Sequence, residues 1–171
     1  MKKDLPENIV ENISIAIVLE SATPEAKNWN VYLINLKNEL IETVLVSSKG
    51  YGLKEGKNVK TSILRHSIGD VKAKSFALIE IIDEQVFGLT NEFWLSYYLN
   101  GQIYDKKFIF LPESIVESNM IRIPILNKPG IMIGWGGLKR LKARSSQLKA
   151  TTTSLKLFSF RDVKILLNFK I

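Results

Sequence analysis

Cysteine is absent from the 171 residues, and histidine occurs once, at His66. The first absence excludes disulfides, thiolate zinc sites, iron–sulfur clusters and cysteine nucleophiles. The second excludes a multi-histidine metal site within one chain. No apolar run approaches the roughly 18 residues that a membrane helix needs, so no membrane partner is expected. Helical periodicity is scarce throughout. The first residues, Met1-Lys2-Lys3-Asp4-Leu5-Pro6-Glu7, lack the apolar stretch and small-residue cleavage site of a secretory leader, which makes the cytoplasm the expected location. What remains is a globular composition, 46% apolar and 24% charged, sufficient for one domain with a real core.

The net charge of +7 is not spread evenly. Residues 1–135 hold 15 Lys and Arg against 16 Asp and Glu, a net of −1. Residues 136–171 hold nine against one, a net of +8. The chain therefore reads as a near-neutral body, residues 1–134, followed by a basic C-terminal extension, residues 135–171.

Within the body, alternation of period two dominates. Ile13 to Leu19 is a β-branched run expected as a buried strand, and Ser21 to Asn28 a polar connection. Trp29–Leu36 and Leu40–Ser47 flank Lys37-Asn38-Glu39, the spacing of a hairpin. Lys49 to Asn58, with three glycines and four charges, is expected as an exposed loop. Further strands are expected at Val59–His66, Lys74–Ile82 and Val86–Leu89. The sharpest local signal is Glu92–Leu99, Asn100-Gly101, Gln102–Phe110. Asn-Gly between alternating aromatic runs predicts a two-residue type I′ turn, because both central positions need positive φ. That turn sets Phe93 opposite Phe108 and Tyr97 opposite Tyr104 on the expected core face. Trp94–Lys107, Ser96–Asp105 and Tyr98–Ile103 fall on the other face. Met120–Leu126 and Ile131–Gly134 close the series around the turn Asn127-Lys128-Pro129-Gly130. Eight or nine short strands without helices between them predict an all-β antiparallel sandwich, immunoglobulin-like.

The extension reads differently. Leu138 to Lys149 is basic and long enough for one short helix, 150–154 has the composition of a linker, and Val163 to Ile171 alternates like a strand.

Candidate sites are few. Gly50-Tyr51-Gly52-Leu53-Lys54-Glu55-Gly56 misses the dinucleotide-binding glycine spacing by one position and precedes no helix, so it reads as turn glycines. Gly134-Trp135-Gly136-Gly137-Leu138-Lys139-Arg140 resembles the glycine-rich, arginine-ending motif of class II aminoacyl-tRNA synthetases with its arginine one residue out of register. Arg65-His66 is the one histidine site. Its sequence neighbours Ser62, Ser67 and Asp70 do not form a nucleophile–base pair by strand geometry, so a rim histidine on a strand edge is expected. No catalytic, cofactor-binding or metal-ligating set emerges. The one credible binding surface is Lys139, Arg140, Lys142, Arg144 and Lys149, which could hold phosphate backbones through counterion release.

Longer phrases carry a family resemblance: Trp29–Asn35, Glu42–Gly52, Leu64-Arg65-His66, Ser75–Glu80, Asn91-Glu92-Phe93, Lys106–Phe110 and Ile123–Leu126. Together they resemble a family of small uncharacterised bacterial proteins that often carry the label phenylalanyl-tRNA synthetase alpha subunit. The same resemblance suggests a relation to the immunoglobulin-like sandwich found beside Smr nuclease domains. It covers about residues 10–133 and implies no catalytic residues, leaving 135–171 as an extension either partly folded or foreign to the family. The expected function is a non-enzymatic module that binds an unidentified protein, with no cofactor. Nucleic-acid binding through the extension is the alternative, and a synthetase-related role, as the label implies, comes third.

Overall fold

The structure, a computed structural model, describes residues 8–134. The expected helix at 138–149, the strand at 163–171 and the basic cluster Lys139 to Lys149 lie outside the described residues.

Ten strands fold into two antiparallel sheets among the described residues: β1 (Ile13–Ala22), β2 (Lys27–Asn35), β3 (Ile41–Lys54), β4 (Lys57–Lys60), β5 (Leu64–Val71), β6 (Ser75–Ile82), β7 (Thr90–Leu99), β8 (Gln102–Phe110), β9 (Ile121–Arg122) and β10 (Pro129–Ile133). The first sheet runs β6-β2-β1-β10-β9, and the second β4-β3-β7-β8. β5 also pairs with β3, along its Ile41–Ser48 half, while β4 takes the Tyr51–Lys54 half. Consecutive strands β1 and β2 sit with β6 in one sheet, and β3 with β7 and β8 in the other. That is the partition of strands A, B, E and C, F, G in an immunoglobulin-like sandwich. No helix among the described residues is long and apolar enough to cross a membrane.

The main core fills the space between the sheets. β1 contributes Ile13, Ile15 and Ile17, β2 Trp29, Val31 and Leu33, and β7 with β8 the aromatic set Phe93, Tyr97, Phe108 and Phe110. A second, smaller cluster lies on the outer side of the first sheet, where Ala16, Val18, Tyr32, Ile34 and Met132 pack with Ile123. β1 is thus buried on both faces, which is why its sequence is a continuous apolar run rather than an alternation.

The Asn-Gly hairpin forms as expected. Asn100 and Gly101 have φ of 53° and 73°, and the pairs Phe93–Phe108, Trp94–Lys107, Ser96–Asp105, Tyr97–Tyr104 and Tyr98–Ile103 all occur. Other local expectations need correction. Residues 37–39 do not close a hairpin: β2 and β3 belong to different sheets, so the segment is a corner. Buried Asn35 holds that corner, donating through Nδ2 to Glu39 O (2.9 Å) and Lys72 O (2.9 Å), and so ties it to the β5–β6 crossing. Conversely, the Ser21–Asn28 connection shrinks to a tight turn, with Thr23 N donating to Ala26 O at 2.8 Å, and β1–β2 is the true hairpin.

Lys49–Asn58 is not a loop. β3 continues to Lys54 and turns at Glu55 and Gly56, both with positive φ, into β4. Gly50 serves close packing there: a Cβ at this position would lie 3.0 Å from Thr61 Cγ2. Val59–His66 is interrupted at 61–63, where the register against β3 shifts by one residue between Tyr51–Lys60 and Ser48–Leu64; Thr61 N still donates to Gly50 O at 2.9 Å. Val86–Leu89 is a 3₁₀ turn and bend rather than a strand, capped by Asp83 Oδ1, which accepts from Gln85 N at 2.8 Å. Met120–Leu126 contracts to the two residues of β9, and the rest forms turns.

Candidate functional site

Strand β6 carries an irregularity that decides where its acid points. Leu78 faces Tyr32 on β2 and Glu80 faces Val31, so Ile79 is an extra residue in β6. An inserted residue of this kind turns two neighbours to one side of the sheet and re-aims the side chains beyond it. Here Ile79 is buried in the core and Glu80, opposite the fully buried Val31, also points inward. In a regular strand Glu80 would lie on the watered outer face with Leu78.

Two other strands bring partners to that carboxylate. His66 on β5 is opposite buried Val46, and Ser48 on β3 is opposite buried Phe93, so both side chains face the inter-sheet gap. Ser48 Oγ–H donates to Glu80 Oε2 at 2.8 Å, and His66 Nε2 lies 2.7 Å from the same oxygen. The side chains of His66 and Glu80 are only 20% and 13% exposed. The cluster therefore joins the edge strands of the two sheets through one carboxylate oxygen. It differs from a serine–histidine–acid relay, in which the imidazole stands between serine and acid: here the serine hydroxyl and the imidazole both meet the carboxylate.

The cluster opens on a cavity of about 320 Å³ between β3, β6 and the 61–63 segment. Thr61, Ser62 and Asp83 supply polar rim atoms, while Leu64, Ile82 and Phe93 supply apolar wall. Lys49, also at the rim, is engaged by Glu92 at 3.1 Å. Among the described residues, no group of three or more His, Cys, Asp or Glu side chains is placed to hold a metal ion.

Arg65, adjacent to His66, points the opposite way. It begins a row across the outer face of the second sheet, Arg65–Ser47–Trp94–Lys107, one residue from each of β5, β3, β7 and β8. Lys107 Nζ sits 4.6 Å from the centre of the Trp94 ring. Neither Arg65 nor Lys107 meets a carboxylate within ion-pair distance among the described residues. Around this row Leu45, Trp94, Tyr98, Ile103 and Ile109 are each 39% to 50% exposed. A shallow depression of about 310 Å³ lies between Arg65, Ser67, Leu45 and Trp94.

The structure splits the Arg65-His66 pair between two sites, and it does not unite His66 with Ser62, Ser67 or Asp70. Ser48 and Glu80 escape a sequence reading, since nothing local marks the extra residue in Ile79-Glu80. Trp94 and Lys107 were legible as one face of the hairpin, but not as its exposed centre with Arg65 beside them. Lys139, Arg140, Lys142, Arg144 and Lys149 lie outside the described residues. No family model matches this chain, and a search of curated proteins finds no match for it.

Proposed function

We propose that this chain is a non-enzymatic interaction module that binds an acidic, apolar-rich segment of another protein on the outer face of the β5-β3-β7-β8 sheet. The observation that carries the reading is the row Arg65–Ser47–Trp94–Lys107: two cations without carboxylate partners among the described residues flank a half-exposed indole, with Leu45, Tyr98 and Ile103 around it. An aromatic anchor bordered by arginine and lysine is the composition of a recognition hot spot, and the unpaired cations favour negative partners. The family resemblance implies no catalytic residues, which agrees with a binding role. The test is a peptide-library selection with the full chain, counter-selected against Trp94→Ala. Enrichment of peptides with Asp or Glu flanking aromatic or leucine residues, lost in Trp94→Ala and Lys107→Glu, is the expected result. Equal enrichment by the wild type and Trp94→Ala would overturn it.

A second reading, nucleic-acid binding, rests on the +8 charge of residues 136–171 and on Lys139, Arg140, Lys142, Arg144 and Lys149 in particular.

A further inference from the structure

The carboxylate of Glu80 is held at one oxygen only. Oε2 takes both the Ser48 hydroxyl and the His66 imidazole, and Oε1 has no hydrogen-bond partner among the described residues. Moving an acid inward is costly, because burial penalises the charged form unless its lone pairs are met. The extra residue in β6 also gives up one rung of pairing with β2. A regular β6 would leave Glu80 in water at no such cost. The irregularity instead fixes a half-satisfied carboxylate at the wall of a cavity of about 320 Å³.

The charges around that cavity have one sign to spare. Glu80 and Asp83 are the acids lining it; Lys49 is the one cation on its wall among the described residues, and it is engaged by Glu92. His66 faces Glu80 from β5 and meets it at Oε2, which leaves Oε1 on the side of the opening. The uncharged wall is mixed, with Leu64, Ile82 and Phe93 as apolar surface and Ser48, Thr61, Ser62 and Asn91 as neutral polar groups. An oriented carboxylate beside the apolar side chains of Leu64, Ile82 and Phe93 matches a cationic nitrogen on a short hydrocarbon stem.

We infer that the cavity beside Glu80 binds an alkylammonium or alkylguanidinium group, the cation reaching Glu80 Oε1 and the stem lying against Leu64 and Phe93. Such a group comes either from a free small amine or from a lysine or arginine side chain of a partner. The site lies on the inner side of β3 and β5, distinct from the Trp94 face, and stands whether or not that face binds a protein.

The experiment is an amide-resolved NMR titration of the full chain. The probes are n-butylammonium, n-butylguanidinium and a blocked Gly-Lys-Gly peptide, with n-butanol and butyrate as neutral and anionic controls. Saturable shifts confined to residues 48–50, 61–62 and 80–83 with a cationic probe, and none with the controls, are expected. Response to the butyl cations alone identifies a small amine, to the peptide alone a protein side chain, and to both the shared chemistry. Glu80→Gln is expected to weaken binding about tenfold, and Asp83→Asn, which keeps its capping oxygen, about threefold, as for charge-assisted contacts. No saturable shift with any cationic probe overturns the inference, as does unchanged affinity in Glu80→Gln. If that variant does not fold, unchanged affinity in Asp83→Asn overturns it instead.

Discussion

Phe93 and Trp94 are neighbours on β7 with opposite fates, and that contrast can be measured. Phe93 is 1% exposed and meets Phe110 edge-on at 6.0 Å, whereas Trp94 is 46% exposed with Lys107 over its ring. Phe93→Ala removes a fully buried aromatic and opens a cavity, a cost of about 3–5 kcal/mol. Trp94→Ala gives up about half of the ~1.5–3 kcal/mol that full burial of a large apolar side chain supplies. It also loses a cation–π contact worth about 0.5–1 kcal/mol at an exposed site. The total is about 2 kcal/mol, so Trp94→Ala keeps a cooperative urea transition while Phe93→Ala loses about twice as much midpoint stability. In the peptide assay the order reverses: Trp94→Ala abolishes binding, and Phe93→Ala, where still folded, retains it. Urea unfolding followed by circular dichroism, with peptide titration at a denaturant-free point, reads both quantities. The reasoning is refuted if the two variants are equally destabilised, or if Trp94→Ala binds peptide as the wild type does.

Other parts of the molecule give three further expected outcomes. Gly130→Ala places a Cβ 2.5 Å from the backbone oxygen of Ile17, where no side chain can yield, whereas a Cβ at Gly88 meets nothing within 4 Å. The first should cost about 1–3 kcal/mol in urea midpoint analysis, and the second should be neutral or slightly stabilising; the opposite order would contradict the β1–β10 packing. Burial raises the Glu20 carboxyl, but its hydrogen bonds from Lys128 and Tyr32 outweigh this and hold it below its ordinary value. Its contribution is therefore complete above pH 4.5 and is lost as pH falls through the lower folded value, so Glu20→Gln should flatten the acid limb of a melting-temperature profile. For the extension, binding of the full chain to single-stranded DNA should fall steeply with salt and vanish on deleting residues 136–171; salt-independent binding would remove the nucleic-acid reading.

Several features were legible in the chain because they are settled by neighbours in sequence. Asn100-Gly101 dictates a turn whose two positive φ values only such residues adopt readily, and the turn then dictates every pair from Phe93–Phe108 to Tyr98–Ile103. The continuous apolar run from Ile13 likewise announced a buried strand, and the break in charge after residue 135 needed no structure at all. Other features depended on which strand came to lie beside which. A short polar link between two apolar runs serves a hairpin or a corner equally well. Residues 37–39 became a corner because β2 found β1 and β6, and β3 found β7. The direction of Glu80 was decided in the same way. Side-chain orientation in a strand is counted from its pairing with the next one, and the extra residue at Ile79 exists only relative to β2. An acid that alternation alone would place in water was thereby turned between the sheets, onto a serine and a histidine 32 and 14 residues away in the chain.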